Sequence, residues 1–158
     1  MQVRYFKYSV FVLAFCFSII FESALFRIIS QTAIIPSFHL IVIHYFSVRN
    51  YSKFILFLSF ICGLVVDILF YNYLGLSSLM FVIFSRLISV NKYSILAQSF
   101  FDMFFYFFIS ISLFNICKSL ILFQLFNQLI QIEDLFLHIT TTLMVYPLSY
   151  MILRRIKV

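Results

Sequence analysis

FILFLSFICGLVVDILFYNYLGLSSLM, residues 54–80, decides how this chain is read. The stretch is apolar enough for lipid and yet holds one acid, Asp67. A carboxylate near the centre of a spanning helix costs roughly 2.5–3.5 kcal/mol on insertion scales, so it must be compensated. Gly63 and Gly75 frame it, and they are the only 2 glycines in 158 residues.

The rest of the chain has the same character. Apolar residues make up 65% and charged residues 10%, far from the roughly 45–50% and 25% of soluble domains. Mean hydropathy is +1.13. This is the composition of an integral membrane protein, and at about 20 residues per span the length is taken up by one membrane domain over residues 1–158. The net charge of +6 comes from basic residues placed singly between apolar runs. That pattern fits membrane topology and not a nucleic-acid surface. Cys16, Cys62 and Cys117 lie in apolar stretches without metal-ligand spacing and read as small buried hydrophobes. The basic, then apolar N-terminus mimics a signal peptide, but it lacks a small-residue cleavage site and reads as the first span.

Charged and polar breaks divide the chain into apolar runs at 8–26, 34–48, 54–74, 76–90, 94–117 and 135–153. The expected fold is an all-α polytopic bundle of about six transmembrane helices with both termini in the cytoplasm. In that orientation Arg4, Lys7, Arg49, Lys53, Arg86, Lys92, Arg154, Arg155 and Lys157 are inside, and only Arg27 and Lys118 are outside. A second run that entered without crossing would place 8 basic residues inside and 3 outside, with the N-terminus out, so the charge rule favours six crossings only mildly. Tyrosines near the run ends, among them Tyr8, Tyr45 and Tyr150, serve as the interfacial belt of a chain without tryptophan. In the outer connection from Lys118 to Asp134, Gln124, Asn127 or Gln128, and Gln131 oppose Leu122, Phe126, Leu129 and Ile130. This spacing predicts an amphipathic helix in the outer interface, either capping the bundle or receiving a partner's segment.

Gly63 and Asp67 are four residues apart and share one helix face. The glycine admits a neighbouring helix, and the carboxylate then hydrogen-bonds across the contact. Gly75 sits where the third helix turns into the fourth and tolerates unusual backbone angles. A structural clasp is favoured over a proton, ion or substrate site, because no second acid lies at matched depth on an obviously facing helix. Asp102 is placed near the cytoplasmic end of the fifth span, and Glu22 with Arg27 at the outer end of the first, as topology anchors. His39, His44 and His138 form no zinc motif, and no nucleotide loop, dinucleotide fingerprint or nucleophile elbow occurs, so no catalytic, cofactor or metal residue is assigned. Pro147 interrupts the last span and is expected to kink it or notch it for a neighbour.

The string GLVVDILFYNYLGLSSL, with Gly63, Asp67 and the Leu74–Gly75–Leu76 turn, resembles the rod shape-determining MreD family of bacterial inner-membrane proteins. The likeness extends more weakly to residues 39–48 and to the last span, where Pro147 precedes the basic run from Arg154 to Lys157. It does not reach the fifth span or the outer connection. The resemblance implies a non-enzymatic subunit of the cell-elongation machinery that binds MreC. Through MreC it would reach the transpeptidase and glycosyltransferase of lateral peptidoglycan synthesis and the actin-like MreB. It also implies a fold similar to the substrate-binding subunits of energy-coupling-factor transporters. Gly63, Asp67, Leu74, Gly75, Leu76 and Pro147 are then structural or partner-interface candidates, and no cofactor is implied. Two alternatives are a small-molecule-binding transporter subunit and an intramembrane aspartyl peptidase using Asp67 and Asp102. The peptidase reading lacks that family's Asn-x-Ala-Asp context.

Overall fold

A computed structural model describes residues 2–29, 35–49, 52–70, 75–90, 100–126 and 131–155. Among these residues six helices and no strands occur: α1 (Gln2–Ile28), α2 (Phe38–Arg49), α3 (Lys53–Phe70), α4 (Leu76–Val90), α5 (Phe100–Phe126) and α6 (Ile132–Arg155). Four of them, α1, α3, α5 and α6, are long and apolar enough to cross a membrane. This is a polytopic helix bundle.

Cross-helix contacts set the direction of each helix. Tyr8 in α1 meets Ser52 and Phe54 at the start of α3, and Phe11 packs edge-on against Phe46 late in α2. Phe100 at the start of α5 touches Tyr150 late in α6. At the other end Glu22 in α1 meets His39 at the start of α2. Successive helices therefore run in alternating directions, α2 covering the depth between Glu22 and Phe11 of α1. Lys7, Arg49, Lys53, Arg86, Arg154 and Arg155 fall toward the end that the charge pattern assigns to the cytoplasm, whereas Arg27 and Lys118 lie toward the opposite, outer end.

The short second run proves to be the centre of the bundle. With 12 residues, α2 is about 18 Å long, less than the roughly 30 Å of hydrocarbon. Every residue from His39 to Val48 is buried, with α1, α3, α4 and α6 packed around it. A helix enclosed by protein needs no lipid-matched length, because its ends are covered by neighbouring helices and not by acyl chains. The other helices expose apolar stripes, such as Leu13 and Phe17 on α1, Ile68 on α3 and Met144 and Leu148 on α6. Tyr45, expected in the interfacial belt, is buried, and its hydroxyl accepts a bond from Arg49 at 2.9 Å. Cys62 is buried as expected, but Cys16 and Cys117 are exposed on the apolar perimeter, where a thiol is as compatible with lipid as with a core.

The outer connection differs from its sequence reading. No glycine or proline interrupts residues 117–126, and extending an existing helix costs less than nucleating a new one. Accordingly α5 continues to Phe126, with Leu122 buried against the bundle, and residues 118–126 are not a separate surface helix. Glu133 and Asp134 open α6; Asn127, Gln128, Leu129 and Ile130 lie outside the described residues, as do Leu74 and Lys92.

Buried polar groups line the inner faces. Ser47 on α2 and Ser85 on α4 share a hydrogen bond of 2.7 Å. His44 packs against Phe107 and Tyr146, and neither ring nitrogen has a partner among the described residues. An unsatisfied buried polar atom costs about 1–3 kcal/mol, so His44→Leu is expected to raise or preserve the Tm of the detergent-solubilised chain. A clear fall in Tm would show that the imidazole has an essential partner.

Candidate functional site

Gly63 and Asp67 of α3 form a compact unit with residues 75–78 at the start of α4. Gly63 faces the start of α4 so closely that an added Cβ would collide with Ser78 Cα and N and lie 2.9 Å from the Ser77 carbonyl carbon. One turn further along α3, Asp67 is fully buried while its neighbour Ile68 is 70% exposed. Its Oδ2 accepts from the Gly75 N–H at 2.8 Å, and Oδ1 and Oδ2 share the Ser77 N–H at 3.0 and 3.1 Å. Gly75 has φ +99°, which favours glycine, and its carbonyl accepts from the Ser78 hydroxyl at 2.8 Å. The first turn of a helix leaves backbone N–H groups without intrahelical partners. Asp67 supplies acceptors for them from the preceding helix, at the positive end of the α4 dipole.

A second acid does the same for α2. Glu22, 5% exposed, accepts the His39 N–H at 2.9 Å, and the His39 Nδ1 lies 2.8 Å from each carboxylate oxygen. His39 and Ser77 are both the second residue of their helices. Two consecutive hairpins thus use one device, a carboxylate late in the ascending helix capping the descending one. Both acids lie toward the same, outer end of the bundle. The expected pairing of Glu22 with Arg27 does not occur: five residues apart, they point about 140° from each other around the helix, and Arg27 is exposed. Glu22 is the site residue that sequence reasoning passed over. Its signal was the one used for Asp67, an acid within an apolar run, masked by a nearby arginine.

Beside these caps, Ser37 ties α2 to α6. Its N–H donates to Thr142 Oγ1 at 3.1 Å, and its hydroxyl lies 2.8 Å from His138 Nε2. Glu22, Ser37, His39, Ser77, Asn115 and His138 together line part of a cavity of about 320 Å³ at the outer end. Asp102, in the first turn of α5, belongs to the opposite end and is exposed, so the structure does not bring the two aspartates of the peptidase reading together. Pro147 lies within a continuous α6 beside Tyr146, whose buried ring stacks on Phe107 at 4.2 Å. Leu76 opens α4.

A family model described as rod shape-determining protein MreD matches residues 2–156. The chain belongs to the MreD family. The match takes in α5 and the outer connection, which the motif alone had left out. The chain matches no curated protein and no solved structure. For this MreD family member the clasp geometry separates the roles of its two glycines. Gly63→Ala must push apart two backbones, an overpacking cost of about 1–3 kcal/mol or more. Gly75→Ala meets no atom within 4 Å and carries only the strain of its positive φ. Gly63→Leu is therefore expected to abolish stable folding, and Gly75→Ala only to lower Tm, as read by thermal unfolding in detergent; the reverse order would contradict the close-approach role.

Proposed function

We propose that this rod-shape-determining membrane protein is a non-enzymatic scaffold of the cell-elongation machinery in the bacterial inner membrane. It crosses the membrane several times and binds MreC. Through MreC it supports the transpeptidase and glycosyltransferase that build lateral peptidoglycan, together with the actin-like MreB. Family membership supplies the setting. The observation that carries the scaffold reading is the use of Asp67: both of its oxygens accept backbone N–H groups, so the acid is committed to holding α3 against α4. Rigid helix pairs that present apolar outer faces suit lateral contact with a partner's spanning helix, where small-residue packing and shape decide affinity.

The test is co-purification of MreC with the tagged chain from gentle detergent extracts of cells expressing both. Recovery of MreC is expected with the wild-type chain and is expected to survive Asp67→Asn, which keeps an acceptor, better than Asp67→Leu, which leaves the buried Ser77 N–H unpaired at about 1–3 kcal/mol and the half-buried Gly75 N–H without its acceptor. Absence of MreC with both proteins present counts against the scaffold. Equal loss in both variants would assign the role to the charge itself.

A further inference from the structure

Tyrosine and arginine recur at one spacing on two helices of the core. Tyr45 and Arg49 on α2 are four residues apart, as are Tyr150 and Arg154 on α6, so each pair shares a helix face about one turn apart. The two helices run in the same direction and in register. The Ser37 N–H donates to Thr142 and the Tyr45 ring meets the Tyr150 ring edge-on at 5.8 Å, both pairs being 105 residues apart. One turn beyond the two rings, the same register brings Arg49 and Arg154 toward each other at the end that the charge pattern assigns to the cytoplasm. Tyr45 is their common neighbour. Its hydroxyl accepts from Arg49 Nη1 at 2.9 Å, the Arg49 guanidinium carbon is 5.9 Å from the centroid of its ring, and Arg154 is near enough to act electrostatically on the same side chain.

Like charges held near one another repel, and more strongly at the edge of a low-dielectric bundle than in water. Among the described residues neither arginine forms an ion pair with a carboxylate. Asp102, in the first turn of α5, is the only acidic side chain toward this end of the bundle, and it pairs with neither arginine. Both arginines are exposed, and a guanidinium carries five N–H donors in a planar fork that matches phosphate oxygens. Tyr45 engages one donor of Arg49, which orients that side chain and leaves its other donors available.

We infer that Arg49 and Arg154 together bind the headgroup phosphate of an anionic phospholipid in the cytoplasmic leaflet. A phosphate shared by the two guanidiniums replaces their repulsion with charge-assisted hydrogen bonds, and basic sites between membrane helices on this side are suited to anionic headgroups. The surroundings point to a lipid and not to a soluble phosphate: Leu148, Met151 and Ile152, in the two turns of α6 before Arg154, are all exposed and offer an apolar stripe to an acyl chain. Arg155, also exposed, disfavours a headgroup that carries its own ammonium. The leaflet rests on the orientation proposed above, but the binding itself does not involve MreC, so its failure and that of the scaffold reading are separate results.

The experiment is native mass spectrometry of the full chain released from mixed micelles holding equal amounts of phosphatidylglycerol and phosphatidylethanolamine. Retention of phosphatidylglycerol over phosphatidylethanolamine is expected for the wild-type chain. Arg49→Gln and Arg154→Gln are each expected to lower that preference about tenfold, since each removes one arm of a charge-assisted contact. Tyr45→Phe, which alters no charge and keeps the ring, is expected to lower it several-fold by releasing Arg49. Arg86→Gln, which removes one exposed charge from the same end but on α4, is expected to leave it nearly unchanged. Thermal unfolding of each variant establishes that it is folded. The inference is overturned if the wild-type chain shows no preference, if folded Arg49→Gln or Arg154→Gln retains it in full, or if Arg86→Gln lowers it as much as they do, which would reduce it to diffuse attraction. Displacement of the lipid by an equal concentration of inorganic phosphate would assign the site to a soluble anion and overturn it as well.

Discussion

A helix that begins within a membrane protein brings unpaired N–H groups with it, and hydrocarbon offers them no acceptor. The structure depends on how this is solved for α2 and α4. Glu22 and Asp67 each reach from the preceding helix to the N–H of the second residue of the next one. The same contact settles two costs, because the acid is no longer an unpaired charge and the helix end is no longer bare. Gly63 is a precondition of the second cap, since only the absence of a Cβ lets α3 approach the Ser77–Ser78 backbone so closely.

From these two caps the rest of the packing follows. With their outer ends held, α2 and α4 lie side by side, and Ser47 meets Ser85. Enclosure of α2 by its neighbours explains how a 12-residue helix serves as the core of a bundle whose other helices are 15 to 27 residues long. The core is accordingly mixed: buried phenylalanines share it with serines such as Ser47, Ser59 and Ser85 and with the buried His44. The outer end, where both caps, the Ser37–His138 contact and the cavity converge, has the highest concentration of buried polar chemistry among the described residues.

Legibility in the sequence followed how local each cause is. Asp67 stood out because it is an isolated acid in an apolar run, and Gly63 and Gly75 because glycine is so scarce here. Glu22 did not, since a basic residue one and a half turns away offered a local partner, and only the packing of α2 against α1 shows that the carboxylate turns inward. The segment from Lys118 to Phe126 misled for a related reason. Its apolar residues, broken by Lys118, Ser119 and Gln124, fit an interfacial helix and the last turns of a spanning one equally well.

Composition, charge distribution and the glycine–aspartate spacing were enough to determine a membrane helix bundle and to point to the junction of α3 and α4, because hydropathy and backbone freedom are properties of short segments. Which helix is central, which carboxylate caps which helix, and which serine and histidine meet at the outer end were decided only by tertiary structure. Those outcomes depend on helices distant in sequence, such as Ser37 and His138, meeting at one end of the bundle. No local pattern encodes that meeting, since burial in this protein is set against lipid as well as against other helices, and an apolar residue satisfies either.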